Sequence, residues 1–203
     1  LLFLFIIGFI ISSMIGKNFL LICCFYVFLN LLYTFYLKKI LLIDIIVLTC
    51  FYVIRVFIGF IGTNLIVSPW LIIFILFFFF SLSSLKRHID ITLERENDNK
   101  VLSGRKYQMD DQNYFTIVGI SGGIISVFVL LLYTVSDQVQ NLYQNPLYLL
   151  FLGPGILYWI CRLWLLAERG EIKEDPIVFA MKDISSYVVL AYSSLIVYLS
   201  LSL

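Results

Sequence analysis

Between Lys86 and Asp111 the chain reads KRHIDITLERENDNKVLSGRKYQMDD and holds 12 of its 27 charged residues, while the sequence on either side is almost continuously apolar. A charged island of that length cannot lie in hydrocarbon, so it is expected in water at one face of a membrane, with the flanking runs spanning the bilayer. Composition agrees. The residues are 62% hydrophobic and only 13% charged, against about a quarter charged in a soluble domain. The apolar runs are continuous and near spanning length, whereas barrel strands would be about 10 residues with strict alternation. The expected fold class is therefore all-α, a polytopic transmembrane helix bundle forming one domain over residues 1–203. A net charge of +1 gives no sign of a nucleic-acid partner. Cys23, Cys24, Cys50 and Cys161 lie in apolar runs without metal or disulfide spacing and read as small buried hydrophobes.

Seven spans are expected: Leu1–Ile11, Phe19–Tyr36, Ile40–Ile61, Pro69–Leu85, Tyr114–Tyr133, Pro146–Leu166 and Tyr187–Leu203. Because the chain opens at Leu1 inside an apolar run, it is expected to be part of a longer protein without a signal peptide at this point. If successive linkers alternate sides, those at 37–39, 86–113 and 167–186 share one side. They carry eleven basic residues, whereas the opposite linkers carry Lys17 alone. The positive-inside rule then places the 86–113 loop in the cytoplasm.

Two further basic residues fall within spans. Arg55 lies mid-span, and Asp44 stands eleven residues before it. Eleven steps of about 100° return to nearly the same helical face, with a rise of about 16 Å. Gly59 and Gly62 continue that face, which is expected to pack closely against a helix or a ligand. An intramembrane arginine is a functional candidate by default, so Arg55 is read as functional rather than as one neutralised by a neighbouring helix. Arg162, near the end of the sixth span, reads on its own as a snorkelling side chain, and Tyr158, Trp159 and Trp164 as an interfacial belt. Asp175-Pro176 reads as the start of a short interfacial helix, Asp as cap and Pro at the first position.

The segment KRHID continues the fourth span and is expected to be helical. Lys86 and Asp90, like Asp90 and Glu94, are then neighbours one turn apart. Carboxylates so placed either join a ladder of ion pairs or share Mg²⁺ with a bridging diphosphate. Lys86, Arg87, Arg105 and Lys106 supply phosphate-binding charge. His88 reads as a solvated loop residue and Asn97-Asp98 as a turn.

Taken together, the stretches YTFYLKKILLIDIIVLTCFYVIRVFIG, SPW, SLKRHID, GRKYQMDD and LYWICRLWLLAERGEIKEDPIVFAMKD resemble the UbiA superfamily of membrane prenyltransferases, from about Tyr33 to Asp183. The branch most resembled includes decaprenyl-phosphate phosphoribosyltransferase and proteins with a fused dehalogenase-like domain. Tyr33, Lys38, Asp44 and Arg55 match the block Tyr-Ser-x-x-Leu-Lys…Asp…Arg, with Thr34 for Ser. Lys86, Arg87 and Asp90 match Lys-Arg-x-x-Glu, with Asp for Glu.

The resemblance implies a nine-helix bundle around a cavity open to the cytoplasm and to lipid, in a bacterial plasma membrane. Mg²⁺ is the implied cofactor and a polyprenyl phosphate or diphosphate the implied lipid. A further soluble domain and the family's Asn-Asp-x-x-Asp motif, absent from this chain, are implied before Leu1. The implied activity moves a prenyl group from a polyprenyl diphosphate, or phosphoribose to a polyprenyl phosphate. By the same likeness Asp44, Arg55 and Asp90 are catalytic, with Asp90 also the metal ligand. Lys38, Lys86, Arg87 and Arg162 bind the diphosphate, and Tyr33 positions substrate. A non-catalytic transporter or lipid-binding protein is the alternative.

Overall fold

The computed structural model describes residues 2–63, 68–96 and 104–202. It is an all-α bundle: α1 (Leu2–Ile15), α2 (Lys17–Phe35), α3 (Ile43–Thr63), α4 (Pro69–Glu96), α5 (Gln112–Thr134), α6 (Asp137–Gln140), α7 (Leu152–Glu168), α8 (Pro176–Ala180) and α9 (Ile184–Ser202). Short 3₁₀ turns at Leu37–Lys39, Met109–Asp111 and Pro146–Phe151 lead into α3, α5 and α7. Six of the helices are long and apolar enough to cross a membrane, and α1, at 14 residues, is shorter. The chain is an integral membrane protein of the expected class, and each of the seven expected spans has its helix.

One boundary differs substantially. The fourth span is expected to end at Leu85 with KRHID continuing its helix, and α4 does continue there and runs on through ITLERE to Glu96. Its 28 residues make a rod of about 42 Å, longer than the roughly 30 Å of hydrocarbon. The last turns therefore project beyond the apolar slab while remaining helical, tied by an Arg87–Asp90 pair at i,i+3. Asn97, Asp98 and Lys100 lie outside the described residues.

α4 is the central helix and touches α3, α5, α7 and α8. Its approach to α5 and α7 depends on small residues. A Cβ at Gly119 of α5 would stand 2.1 Å from Cζ2 of Trp164 and 2.9 Å from Cβ of Ser84. At Gly123 it would stand 2.6 Å from Cγ2 of Ile160. With no hydrophobic drive between helices in lipid, close contact of this kind supplies the packing energy. Leu82, Leu85 and Ile89 of α4 meet Val127 of α5 and Ile160, Leu163, Trp164 and Ala167 of α7 in the main apolar cluster. α2 packs against α1 and α3 and buries no residue.

Several expected surroundings change. Gly59 meets nothing where a Cβ would be, so its face is not closely packed among the described residues; the surroundings of Gly62 are outside that set. Cys24, Cys50 and Cys161 are exposed and Cys23 half-buried, because an apolar outer face accepts a small hydrophobe as readily as a core does. Of the expected aromatic belt, only Tyr158 is exposed. Trp164 is buried and donates Nε1–H to Ser81 Oγ at 3.1 Å; Trp159 donates to Ser186 Oγ at 2.8 Å and stacks on Phe78. α8 forms as expected, with the Asp175 side chain accepting from the Ile177 amide and Pro176 at the first position.

Candidate polar centre at one end of the bundle

The linkers at 37–39, 86–113 and 167–186, expected on one side, meet at one end among the described residues. Asp44 is joined to Arg87 and Arg105, and Lys86 to Asp175. Each partner reaches the end by a definite route. The last turn of α2 presents Tyr33, and the first turn of α3 presents Asp44. α4 presents Arg87 and Asp90 one turn apart. Gly104, at φ 72, turns the returning chain so that Arg105 and Tyr107 lie against α3.

Asp44 and Arg87 are both fully enclosed, and Arg87 Nε stands 2.9 Å from Asp44 Oδ2. The Tyr33 hydroxyl donates to Asp44 Oδ1 at 2.7 Å. Arg87 Nη1 donates to Asp90 Oδ2 at 2.5 Å, and Arg105 Nε approaches Asp44 Oδ2 at 3.5 Å. Two carboxylates and two guanidiniums thus neutralise one another, with Asp44 and Arg87 enclosed and Asp90 and Arg105 partly exposed at the rim, and buried charge is tolerated when paired in this way. The set is not fully satisfied. Arg87 Nη2 is buried and donates to no partner among the described residues. Its Nε, like that of Arg105, makes an ion contact without hydrogen-bond alignment. An enclosed cation with an unused donor is suited to an anionic group.

Tyr107 completes the floor. It is 2% exposed, meets Phe115 edge-on at 5.0 Å, and accepts the Leu42 amide hydrogen bond at 3.1 Å. Burial, opposed by the Leu42 amide and reinforced by Asp44, pushes its phenol above the ordinary value, so it stays protonated. Burial pulls the Arg105 value down, but the Tyr33 hydroxyl and Asp44 outweigh it and leave Arg105 higher and fully charged.

The remaining expected site residues divide. Lys38, in the 3₁₀ turn Leu37–Lys39, is half-buried and makes no ion pair among the described residues. Lys86 is paired with Asp175, so it latches α8 onto α4. Arg55 does not join Asp44. Its Nε donates to Tyr26 Oη at 2.9 Å, and its guanidinium lies 5.5 Å from the rings of both Tyr26 and Tyr52. One face holds both residues, but the rise between them lets α2 supply a separate partner at the deeper level. Arg162 also lies elsewhere, bidentate to Asp183 at 2.8 and 3.0 Å, which clamps α7 to the start of α9.

His88 corrects the sequence reading most. It is fully buried, since one helical step from Arg87 turns it toward α5 and α7. Its Nδ1 lies 3.0 Å from Thr116 Oγ1, which donates to Glu168 Oε1 at 2.8 Å, and its Nε2 lies 3.4 Å from Nε2 of the Gln112 side chain. Arg105 is read from sequence as phosphate-binding charge and Asp175 as a helix cap, whereas Leu42, Tyr107 and Asp183 receive no role there; the block GRKYQMDD was the visible signal for Tyr107.

For Mg²⁺ the fit is narrow. No group of three His, Cys, Asp or Glu side chains stands together among the described residues. Asp44 is committed to Tyr33 and Arg87, leaving Asp90, with its side chain 29% exposed, as the carboxylate that can give one ligand. One carboxylate with phosphate oxygens and waters is a usual Mg²⁺ shell.

No family model matches the chain. It is 32% identical over 179 residues to the uncharacterized protein y4nM of Sinorhizobium fredii, an alignment covering 88% of this chain and 35% of that one. It is 28% identical over 176 residues to nodulation protein NoeC of Azorhizobium caulinodans, covering 85% of this chain and 56% of that one. The chain therefore spans about a third of the first relative and somewhat over half of the second.

Proposed function

We propose that this chain is the membrane part of a transferase of the UbiA type, acting on a polyprenyl phosphate or diphosphate at the polar end of its bundle. The observation that carries the reading is the convergence of Tyr33, Asp44, Arg87 and Asp90. These residues come from separate sequence blocks that resemble the family, and they share one buried cluster. The unused donor of Arg87 supports an anionic ligand there.

In either version of the reaction a carbon–oxygen bond to a diphosphate breaks, and its electron pair leaves with the diphosphate. The ionised phosphate oxygen of the lipid forms the new bond without losing a proton, whereas an aromatic carbon forms it and then passes its proton to the released diphosphate or to water. Arg87 stabilises the leaving charge through Nη2, assisted by Arg105 and Lys38; in a water-poor site such contacts weigh heavily on the transition state. Asp44 and Tyr33 hold Arg87 in place. Mg²⁺, held in part by Asp90, supplies additional neutralisation of the diphosphate when bound. Arg55 and Arg162 have no part in this centre.

The basic end faces the cytoplasm under the positive-inside rule, and the bacterial relatives support a bacterial plasma membrane. The test uses membranes containing the protein, Mg²⁺ and labelled polyprenyl phosphate. One half receives phosphoribosyl diphosphate, the other an allylic diphosphate with an aromatic acceptor. A lipid-linked ribose or a prenylated aromatic is expected, and each identifies its branch. No product from either pair overturns the reading.

A further inference from the structure

Leu42 is the one non-glycine residue at positive φ, 64°, among the described residues. A branched side chain is strained there and stays only where its surroundings hold it. Its position explains why the strain matters. The Leu42 carbonyl accepts from the amides of both Ile45 and Ile46, opening α3, and Asp44 lies between. The Leu42 amide turns the other way and donates to Tyr107 Oη at 3.1 Å. Tyr107 itself is rigidly seated: it is packed with Ile45, Ile91 and Phe115. The loop after it is tied down by Arg95 Nη2 donating to Met109 O at 2.7 Å and by the Gln108 amide donating to Asp111 at 2.8 Å.

We infer that Tyr107 is a positioning residue for the polar centre: its hydroxyl holds Leu42 in the left-handed conformation, and that turn sets Asp44 against Arg87 and Tyr33. The loop from Gly104 to Asp111 thus contributes to the site twice, once by charge through Arg105 and once by backbone geometry through Tyr107. Its bearing on transfer rests on the function proposed above; the geometry does not.

The two residues make a cycle in which packing and positioning separate. Tyr107→Phe keeps the ring and removes only the hydroxyl. Leu42→Gly removes the strain, since glycine takes this conformation freely. Hydrogen exchange of the segment 40–46 is followed by mass spectrometry in the full chain in lipid nanodiscs, for wild type, each single variant and the double variant. Tyr107→Phe is expected to speed exchange about fivefold, the change that one net hydrogen bond produces, and Leu42→Gly in the same chain to bring it back near wild type. Retention of labelled polyprenyl phosphate in the same four samples should follow the same order. Exchange unchanged in Tyr107→Phe, or not recovered in the double variant, would overturn the inference. Wild type failing to retain the lipid would instead count against the proposed function, leaving the exchange result to decide the role of Tyr107.

Discussion

Asp44 and Arg87 stand 2.9 Å apart, one on α3 and one on α4, and neither has any exposed side-chain surface. The pair fixes the register of the two helices at the polar end. It also creates a large penalty for losing either member, because the survivor would be an uncompensated charge in a dry pocket.

Asp44→Leu alone should lower stability by about 3–5 kcal/mol, the range for breaking a buried pair. Adding Arg87→Met should restore most of it, since an apolar pair of similar volume is often neutral. Thermal unfolding in detergent, followed by intrinsic fluorescence, measures both variants. A double variant as unstable as the single one would show that the pair is not the source of the loss.

The α4–α5–α7 contact should tolerate no added methyl at its two tightest points. Gly119→Ala and Gly123→Ala drive a Cβ to 2.1 Å from Trp164 and 2.6 Å from Ile160, both buried. Overpacking of this kind costs about 1–3 kcal/mol. Gly59→Ala, with nothing in its way, should be neutral or slightly stabilising in the same melt.

The Lys86–Asp175 latch should be worth little as an ion pair and more as a cap. Both side chains are partly exposed, 35% and 26%, so Lys86→Met should cost less than about 1 kcal/mol. Asp175→Ala also removes the acceptor for the Ile177 amide, and loss of an N-cap typically costs about 1 kcal/mol. Limited proteolysis across 170–183 should therefore respond to Asp175→Ala more than to Lys86→Met.

Acid should open the junction of α7 and α9. Burial raises the Asp183 carboxyl, but the Arg162 guanidinium and the hydroxyl and amide of Ser186 together outweigh it, leaving it below the ordinary value. A depressed carboxylate contributes stability that is complete above its unfolded value, near 3.9, and that disappears as pH falls through the folded one. Trp159, hydrogen-bonded to Ser186, should keep its fluorescence from pH 7 to about 4 and change below that. Asp183→Asn should show the altered signal already at neutral pH and no acid transition.

Much of this was legible in the sequence. Apolar runs marked the six spanning helices and the shorter α1, and the lopsided placement of Lys and Arg identified which linkers share an end. What periodicity could not supply was the partner of each buried charge. Asp44 and Arg55 share a helical face, but neighbouring helices meet that face at different depths, so Arg87 takes the first and Tyr26 the second. Arg87 and His88 are adjacent in sequence, yet consecutive helical positions diverge by about 100°. One enters the Asp44 cluster and the other the Thr116–Glu168 network. The continuation of α4 through KRHID was legible, but its further run to Glu96 was not, because charge in a sequence marks the end of hydrocarbon and a helix need not stop there.

The most direct test of the central claim is turnover of labelled polyprenyl phosphate with Mg²⁺ and each diphosphate donor, comparing wild type with the stable Asp44→Leu, Arg87→Met double variant. Wild type should form a lipid-linked ribose or a prenylated acceptor, and the double variant, folded to the same extent, should form none. Equal turnover in the two would contradict the assignment of chemistry to the Asp44–Arg87 centre.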